Sequence, residues 1–325
     1  MDKKLFISKA PLRLGLAGGG SDVSPFSDEY GGFVLNATIN LYCYAILEPR
    51  FDDAVYISAD DLNINISYKS NEKIPCEENL KLHLGVINRI KKEFKIKENL
   101  SFNLNTYSDA PAGSGLGTSS TMVVCLVQVF SEWLGLCLGE YDIANLAYEI
   151  ERIDLNLKGG KQDHYSSSFG GFNFIEFGPG DKVIVNPLRV KKNFIKLLEL
   201  STILFFTGKS RSSSEIINVQ IENTHAEKRS TIDSIKILKQ GAIDMKEAIL
   251  TGNIQSYERI LRESWIAKKE ISNLISNKLI ESFYEVAINS GALAGKISGA
   301  GGGGFLILFV KPKDKIKVIN ELNNK

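Results

Sequence analysis

The sequence predicts an α+β protein in two domains, on three observations. The first third is rich in Val, Ile and Tyr, broken by Asp-Asp or Asn, as in Phe33 to Pro49 and Ala54 to Tyr68, and reads as a sheet. The second half opens on a strand, Ser201 to Thr207, and continues as a long helical region to about Asn289. The chain has 325 residues, 43% of them hydrophobic and 24% charged, which suits a globular protein with a sizeable core and two domains.

Taken in order, Leu5 to Gly15 alternates as a strand and runs out into the glycine turn Gly18-Gly-Gly-Ser-Asp22, whose polar residues can reach a ligand. Leu80, Leu84, Ile87 and Ile90 place a helix over Glu77 to Phe94, and Leu100 to Tyr107 returns to strand. There follows Pro111-Ala-Gly-Ser-Gly-Leu-Gly-Thr-Ser-Ser-Thr121, which leads straight into an apolar helix to about Leu136. The alternating Gly113, Gly115 and Gly117 let backbone N–H groups turn toward one point without Cβ clashes, and the helix aims its positive dipole end at the same point. Thr118, Ser119, Ser120 and Thr121 add hydroxyls where an anion or its magnesium would sit. An ordinary loop with a Ser/Thr cap is the competing account. The segment is neither a Walker A loop, since no lysine follows the glycines, nor a dinucleotide fingerprint, since the glycines alternate.

Tyr141 to Leu155 supplies another helix, stopped by Gly159-Gly160; then come the short polar segment Lys161 to Tyr165 and a strand over Gly170 to Phe177. A domain boundary is expected near Gly178-Pro-Gly-Asp181, or just before the lysine-rich Val190 to Lys196. Ser212 and Glu215 fit a capping box, while Lys209 and Arg211 stand at the positive end of the helix, where a bound anion would relieve their repulsion. The chain closes with strands Ala292 to Ile297 and Phe305 to Val310 around Ser298-Gly-Ala-Gly-Gly-Gly-Gly304, and a terminal helix. A strand follows those glycines, so the literal G-x-G-x-x-G there fails as a dinucleotide site; it allows close approach to a ligand or to another loop.

Composition excludes several classes. Lys plus Arg (39) nearly balance Asp plus Glu (38), so no global field recommends nucleic acid or an anionic membrane. The N-terminus has no apolar signal region, and Phe305 to Val310 is far short of the roughly 20 residues that span a bilayer. Cys43, Cys76, Cys125 and Cys137 lack C-x-x-C spacing, so buried thiols in a reducing cytoplasm are expected, without zinc or a disulfide framework. A homo-oligomer stays open.

The ordered motifs Ala10-Pro-Leu-Arg-Leu…Gly18-Gly-Gly-Ser-Asp22, Pro111 to Ser120 and Lys296-Ile-Ser-Gly-Ala-Gly-Gly-Gly-Gly304 resemble the GHMP family of small-molecule kinases over essentially the whole chain. The resemblance implies ATP and magnesium, an N-terminal domain (1–185) like the second domain of ribosomal protein S5, a ferredoxin-like C-terminal domain (186–325), and an active site between them. Within the family, Gly159-Gly-Lys-Gln-Asp163 followed by Phe169-Gly-Gly-Phe-Asn173 is most similar to the D-glycero-D-manno-heptose 7-phosphate kinases. L-fucose kinases share a segment like Thr207 to Arg211, but their first motif typically carries tryptophan where this chain has Gly20. The implied reaction is phosphorylation of the anomeric C1 hydroxyl to give the 1,7-bisphosphate, feeding nucleotide-activated heptose for surface glycans. A kinase of L-fucose or a hexose is one rival; a non-catalytic sugar and ATP sensor is another, against which the intact Arg13, Glu151 and Asp163 speak.

By the same resemblance, Asp163 is the catalytic base and Arg13 its basic partner. The nucleotide lies along Pro111, Gly113, Ser114, Gly115, Leu116, Gly117, Thr118, Ser119 and Ser120, and magnesium is held by Glu151 with Ser119 or Ser120, Glu149 being a competitor. Asp22 is the sugar-binding aspartate, flanked by Gly19, Gly20 and Ser21, with Lys161, Gln162, Gly301 and Gly302 also along the substrate. Lys209 and Arg211 take the far phosphate, with Lys161 in reserve. His83, His164 and His225 read as surface or packing residues, although His164 adjoins Asp163.

Overall fold

A computed structural model describes residues 4–72, 75, 77–180, 182–208 and 213–325. The first half contains β1 (Phe6–Ala17), α1 (Phe26–Tyr30), β2 (Gly32–Pro49), β3 (Ala54–Ala59), β4 (Ile64–Lys69), α2 (Lys81–Glu93), β5 (Phe102–Ser108), α3 (Thr118–Leu134), α4 (Glu140–Tyr148), α5 (Gln162–Phe169), β6 (Phe172–Phe177) and β7 (Val183–Pro187). The long β2 is the spine of its sheet: β1 pairs along one side, and β5 and β6 share the other. All pairs are antiparallel except β3 with β5.

Helix α3 lies on β1 and β2 and is the buried centre of this half. Its Met122-Val-Val-Cys-Leu-Val127 stretch is apolar all round and almost wholly shielded, as a helix without a polar face must be. Because α3 is fixed by this packing, its N-terminus is a rigid platform.

The second half contains α6 (Lys192–Ser201), β8 (Thr202–Phe206), α7 (Ser213–His225), α8 (Arg229–Thr251), α9 (Ile254–Ile271), α10 (Lys278–Ser290), β9 (Ala292–Ile297), β10 (Phe305–Val310) and α11 (Lys315–Asn323). Strand β10 is the centre of an antiparallel sheet, β8-β10-β9. Helix α8 reaches back over β1 and β2, so Ala242, Met245, Ala248 and Ile249 join the same apolar cluster as Leu14, Leu35 and Phe174.

The α+β fold stands, with local corrections. Lys161 to Tyr165 is not an irregular segment but the start of α5, whose shielded face is His164, Tyr165, Ser166 and Ser167; buried serines leave no apolar period to read. Tyr141 to Leu155 is not one α-helix, because α4 gives way to a π-helical turn over Glu149–Asp154. Cys43 and Cys125 are buried as expected, but Cys137 is exposed. Strand β7 runs to Pro187, past the expected division at 185. Among the described residues no helix is long and apolar enough to cross a membrane.

Candidate active site

The cavity between the two sheets' loops has a volume of about 280 Å³ and is walled by all three glycine motifs, the α5 start, and residues of α7 and α9. Its floor is the loop from β5 to α3. Gly113, Gly115 and Gly117 take positive φ of 75°, 80° and 82°, where a Cβ would strain the backbone. Gly117 caps α3 without a side-chain bond, so the first-turn amides of Thr118, Ser119 and Ser120 keep their donors for a ligand. Leu116 is fully buried under this turn and Ser114 bonds the Thr118 hydroxyl at 3.1 Å; both shape the loop rather than line the cavity. Pro111 is exposed and also outside it.

The third glycine motif braces the second. A Cβ on Gly299 would lie 2.7 Å from Gly115 Cα, and one on Gly115 would lie 2.5 Å from the Ser298 carbonyl oxygen. Ser298 donates to the Gly115 carbonyl at 2.7 Å, and the Phe305 amide donates to the Ser114 carbonyl at 3.0 Å. Loop meets loop. Gly301 and Gly302 pack instead on Ile275, whose carbonyl accepts from the Gly302 amide at 2.8 Å; Gly299 and Ala300 are the members that face the cavity.

Asp163 stands in the first turn of α5, and Arg13 Nε donates to its Oδ1 at 2.5 Å. Arg13 also donates through Nη1 to the Gly115 carbonyl at 2.7 Å, and through its backbone amide to the Leu116 carbonyl at 3.1 Å. One arginine thus ties the phosphate loop to the carboxylate. Gly117 must lack a side chain, since its Cβ would come 3.1 Å from Asp163 Cγ.

The π-helical turn presents Glu151, which is buried and receives the Ser119 hydroxyl at 2.5 Å and the Ser120 hydroxyl at 2.6 Å. His164 Nε2 lies 2.7 Å from its Oε2, and Arg152 lies 3.2 Å from its Oε1. Burial alone would raise this carboxyl, but Arg152, His164 and Ser119 reverse it and hold Glu151 well below the usual carboxylate range. Glu149 turns away to Arg89. Glu151, Ser119 and Ser120 offer hard oxygen donors beside helix-end amides, a set that suits magnesium.

Asp22 is buried, and burial raises its carboxyl pKa against the pull of the Gln162 and Gly20 amides, with Asp163 pushing the same way as burial. Gly20 N and Gln162 N donate to it at 3.0 and 3.1 Å, and Gln162 Nε2 at 3.2 Å. Gln162 lines the cavity, while its buried Oε1 has no partner among the described residues. Gly19 and Gly20 line it too, whereas Ser21 turns inward to the Gly18 and Phe33 carbonyls. Lys161 also faces away, bonding the Gly180 carbonyl at 3.0 Å beside Asp28 and Tyr148. Lys209, Arg211 and Ser212 lie outside the described residues.

Three cavity cations escaped the sequence reading. Arg152 follows Glu151, Lys158 stands at the exposed rim, and Lys268 projects from α9. Lys268 had a signal: it sits at helical spacing between Trp265 and Ile271, on the buried face of an amphipathic helix.

A family description of GHMP kinases N terminal domain matches residues 81–171, and one of GHMP kinases C terminal matches 245–325. The chain belongs to the GHMP kinases and is an ATP-dependent kinase. It is 46% identical over 98% of its length to a D-glycero-alpha-D-manno-heptose 7-phosphate kinase of Campylobacter jejuni, covering 93% of that protein. It is equally similar, at 46% identity and a TM-score of 0.83, to a crystal structure described as a D-glycero-D-manno-heptose 1-phosphate kinase from Bacteroides thetaiotaomicron, covering 99% of this chain and 93% of that one. The Methanococcus jannaschii mevalonate kinase shares the fold at 21% identity and a TM-score of 0.78, over 100% of this chain and 96% of that one.

Proposed function

We propose that this protein is a sugar kinase that transfers the γ-phosphoryl group of ATP to the anomeric C1 hydroxyl of D-glycero-D-manno-heptose 7-phosphate. The product is the 1,7-bisphosphate, a precursor of nucleotide-activated heptose. The observation that carries the reading is the Arg13–Asp163 pair at 2.5 Å, set beside helix-end amides and a buried Asp22 in one cavity. The two similar proteins, each at 46% identity, are both named as heptose phosphate kinases but differ in the phosphate position. A C1 acceptor fits the 7-phosphate name.

In this reading Asp163 accepts the proton of the C1 hydroxyl as its oxygen bonds to the γ-phosphorus, and the bond from that phosphorus to the bridging oxygen breaks to release ADP. Arg13 holds Asp163 in line. The α3 amides bind the nucleotide phosphates. Glu151 with Ser119 or Ser120 would hold magnesium, which neutralises phosphate charge when bound. Asp22 accepts sugar hydroxyls, and Gln162 lies beside it along the substrate. Two domains with the site at their junction fit the separate sheets, and a division before the lysine-rich Val190 to Lys196, instead of at 185, keeps β7 whole. A sugar sensor would have no use for a positioned base.

The test is coupled ADP release with ATP and magnesium on D-glycero-D-manno-heptose 7-phosphate, mannose 6-phosphate, L-fucose and galactose, followed by phosphorus NMR of the product. Turnover of the heptose phosphate with a new anomeric phosphate signal is expected. Preference for L-fucose or galactose would replace the substrate, and binding without turnover would favour the sensor.

A further inference from the structure

Among the described residues, Lys268 is a buried cation without a carboxylate in contact. It lies in the last turn of α9 beside Lys269, and the two part company: Lys269 pairs with Glu281 at 3.2 Å, whereas Lys268 points inward and donates to the Gly299 carbonyl. Among the cavity's other charged residues, Arg13 is matched by Asp163 and Arg152 by Glu151, while Asp22 is held by amides. Lys158 reaches the Asn156 side chain at the exposed rim. A buried ammonium that lacks a counter-charge is costly. Burial lowers the Lys268 pKa to about 8, with Arg13 pushing the same way and Asp22 opposing. An anionic ligand group would remove that cost.

The wall on which Lys268 stands says which anion. The nucleotide's donors, the α3 amides with Ser119 and Ser120, belong to the N-terminal side. Lys268 lines the cavity with Ser214, Ile217, Gln220 and Ile271 of α7 and α9, and Gln220 Nε2 donates to the Gly20 carbonyl at 2.8 Å, which joins this lining to Gly19, Gly20 and Asp22. In the substrate reading above, those are the residues beside the acceptor. We propose that Lys268 binds the phosphate that the acceptor already carries, the one not being transferred, and so selects a phosphorylated sugar. The assignment rests on the substrate reading above.

The experiment compares wild type with Lys268→Met, which keeps the stem and removes the charge, on D-glycero-D-manno-heptose 7-phosphate and on the dephosphorylated heptose. The expected result is a KM for the phosphosugar raised at least about tenfold more than the KM for free heptose, the scale of one lost charge-assisted contact. Lys268→Arg should give a smaller rise confined to the phosphosugar, and serves alone if Lys268→Met does not fold. Calorimetric titration of both sugars into each protein provides a readout independent of turnover. Equal losses on both sugars, or a loss confined to ATP, would mean that Lys268 merely secures the Gly299 loop and overturns the assignment. Wild type that turns over only unphosphorylated sugars would instead sink the substrate reading, and the assignment with it.

Discussion

Arg13 and Asp163 lie 150 positions apart in sequence and 2.5 Å apart in space. The contact matters because a carboxylate bonded to a guanidinium is held in one orientation, as a positioned base must be. Asp163→Asn keeps the shape and removes the basicity. Turnover should fall at least about a hundredfold while ATP affinity, measured by calorimetry, changes less than about twofold; a near-native rate would show that another group is the base. Glu151 and His164 illustrate the limit of reading single residues. A histidine beside Asp163 reads in sequence as a surface or packing residue, yet its buried ring lies 2.7 Å from Glu151 and steadies it. Nothing in the spacing of Glu151 and His164 announces that bond, because it depends on the π-helical turn.

The elements carry the site through two loops that interlock. Gly299 has a φ of 70°, and its absent Cβ leaves room for Gly115, so the β9–β10 turn acts as a clamp on the phosphate loop. Gly299→Ala should therefore raise the KM for ATP by at least about tenfold and lower the melting temperature, since the added methyl meets backbone and must adopt a disfavoured left-handed conformation. Unchanged nucleotide kinetics would show that the clamp is not needed to shape the loop. The glycines themselves were legible in sequence, and so was the choice between a ligand and another loop as their neighbour. Only the packing decided for the loop.

At the scale of the whole molecule, one apolar cluster runs from β1 and β2 through α8 to β10, so a local change in that core bears on global stability. His83 reports it. The ring is buried on α2, with Nε2 2.8 Å from the Thr106 hydroxyl and Nδ1 without a partner among the described residues. Burial lowers its pKa from 6.5 to about 4. Above about pH 6.5 the ring is neutral in both states and stability is indifferent to pH. Between 6.5 and 4 the unfolded chain binds the proton more readily, so stability falls as pH falls. From pH 7 to pH 4.5 this one group should cost roughly 2–3 kcal/mol. Denaturant titrations at the two pH values should show His83→Gln losing that much less than wild type; parallel losses would place the acid sensitivity elsewhere.

The sequence by itself determined the α+β class, both sheets' main strands, the apolar helix α3 and the glycine loop before it, because hydrophobic period and glycine placement are local properties of the chain. It also determined which side chains could do phosphoryl chemistry: Arg13, Asp22, Glu151 and Asp163 all line the cavity. Tertiary structure decided what each candidate faces. Ser21, Leu116 and Lys161 turn away from the cavity, while Arg152 and Lys268 turn into it. The physical reason is that a side chain's direction is set by the packing of its element against distant ones, as α9 against β9 brings Lys268 inward. A lysine's type and neighbours in sequence give its charge; only the fold gives that charge a wall to stand on.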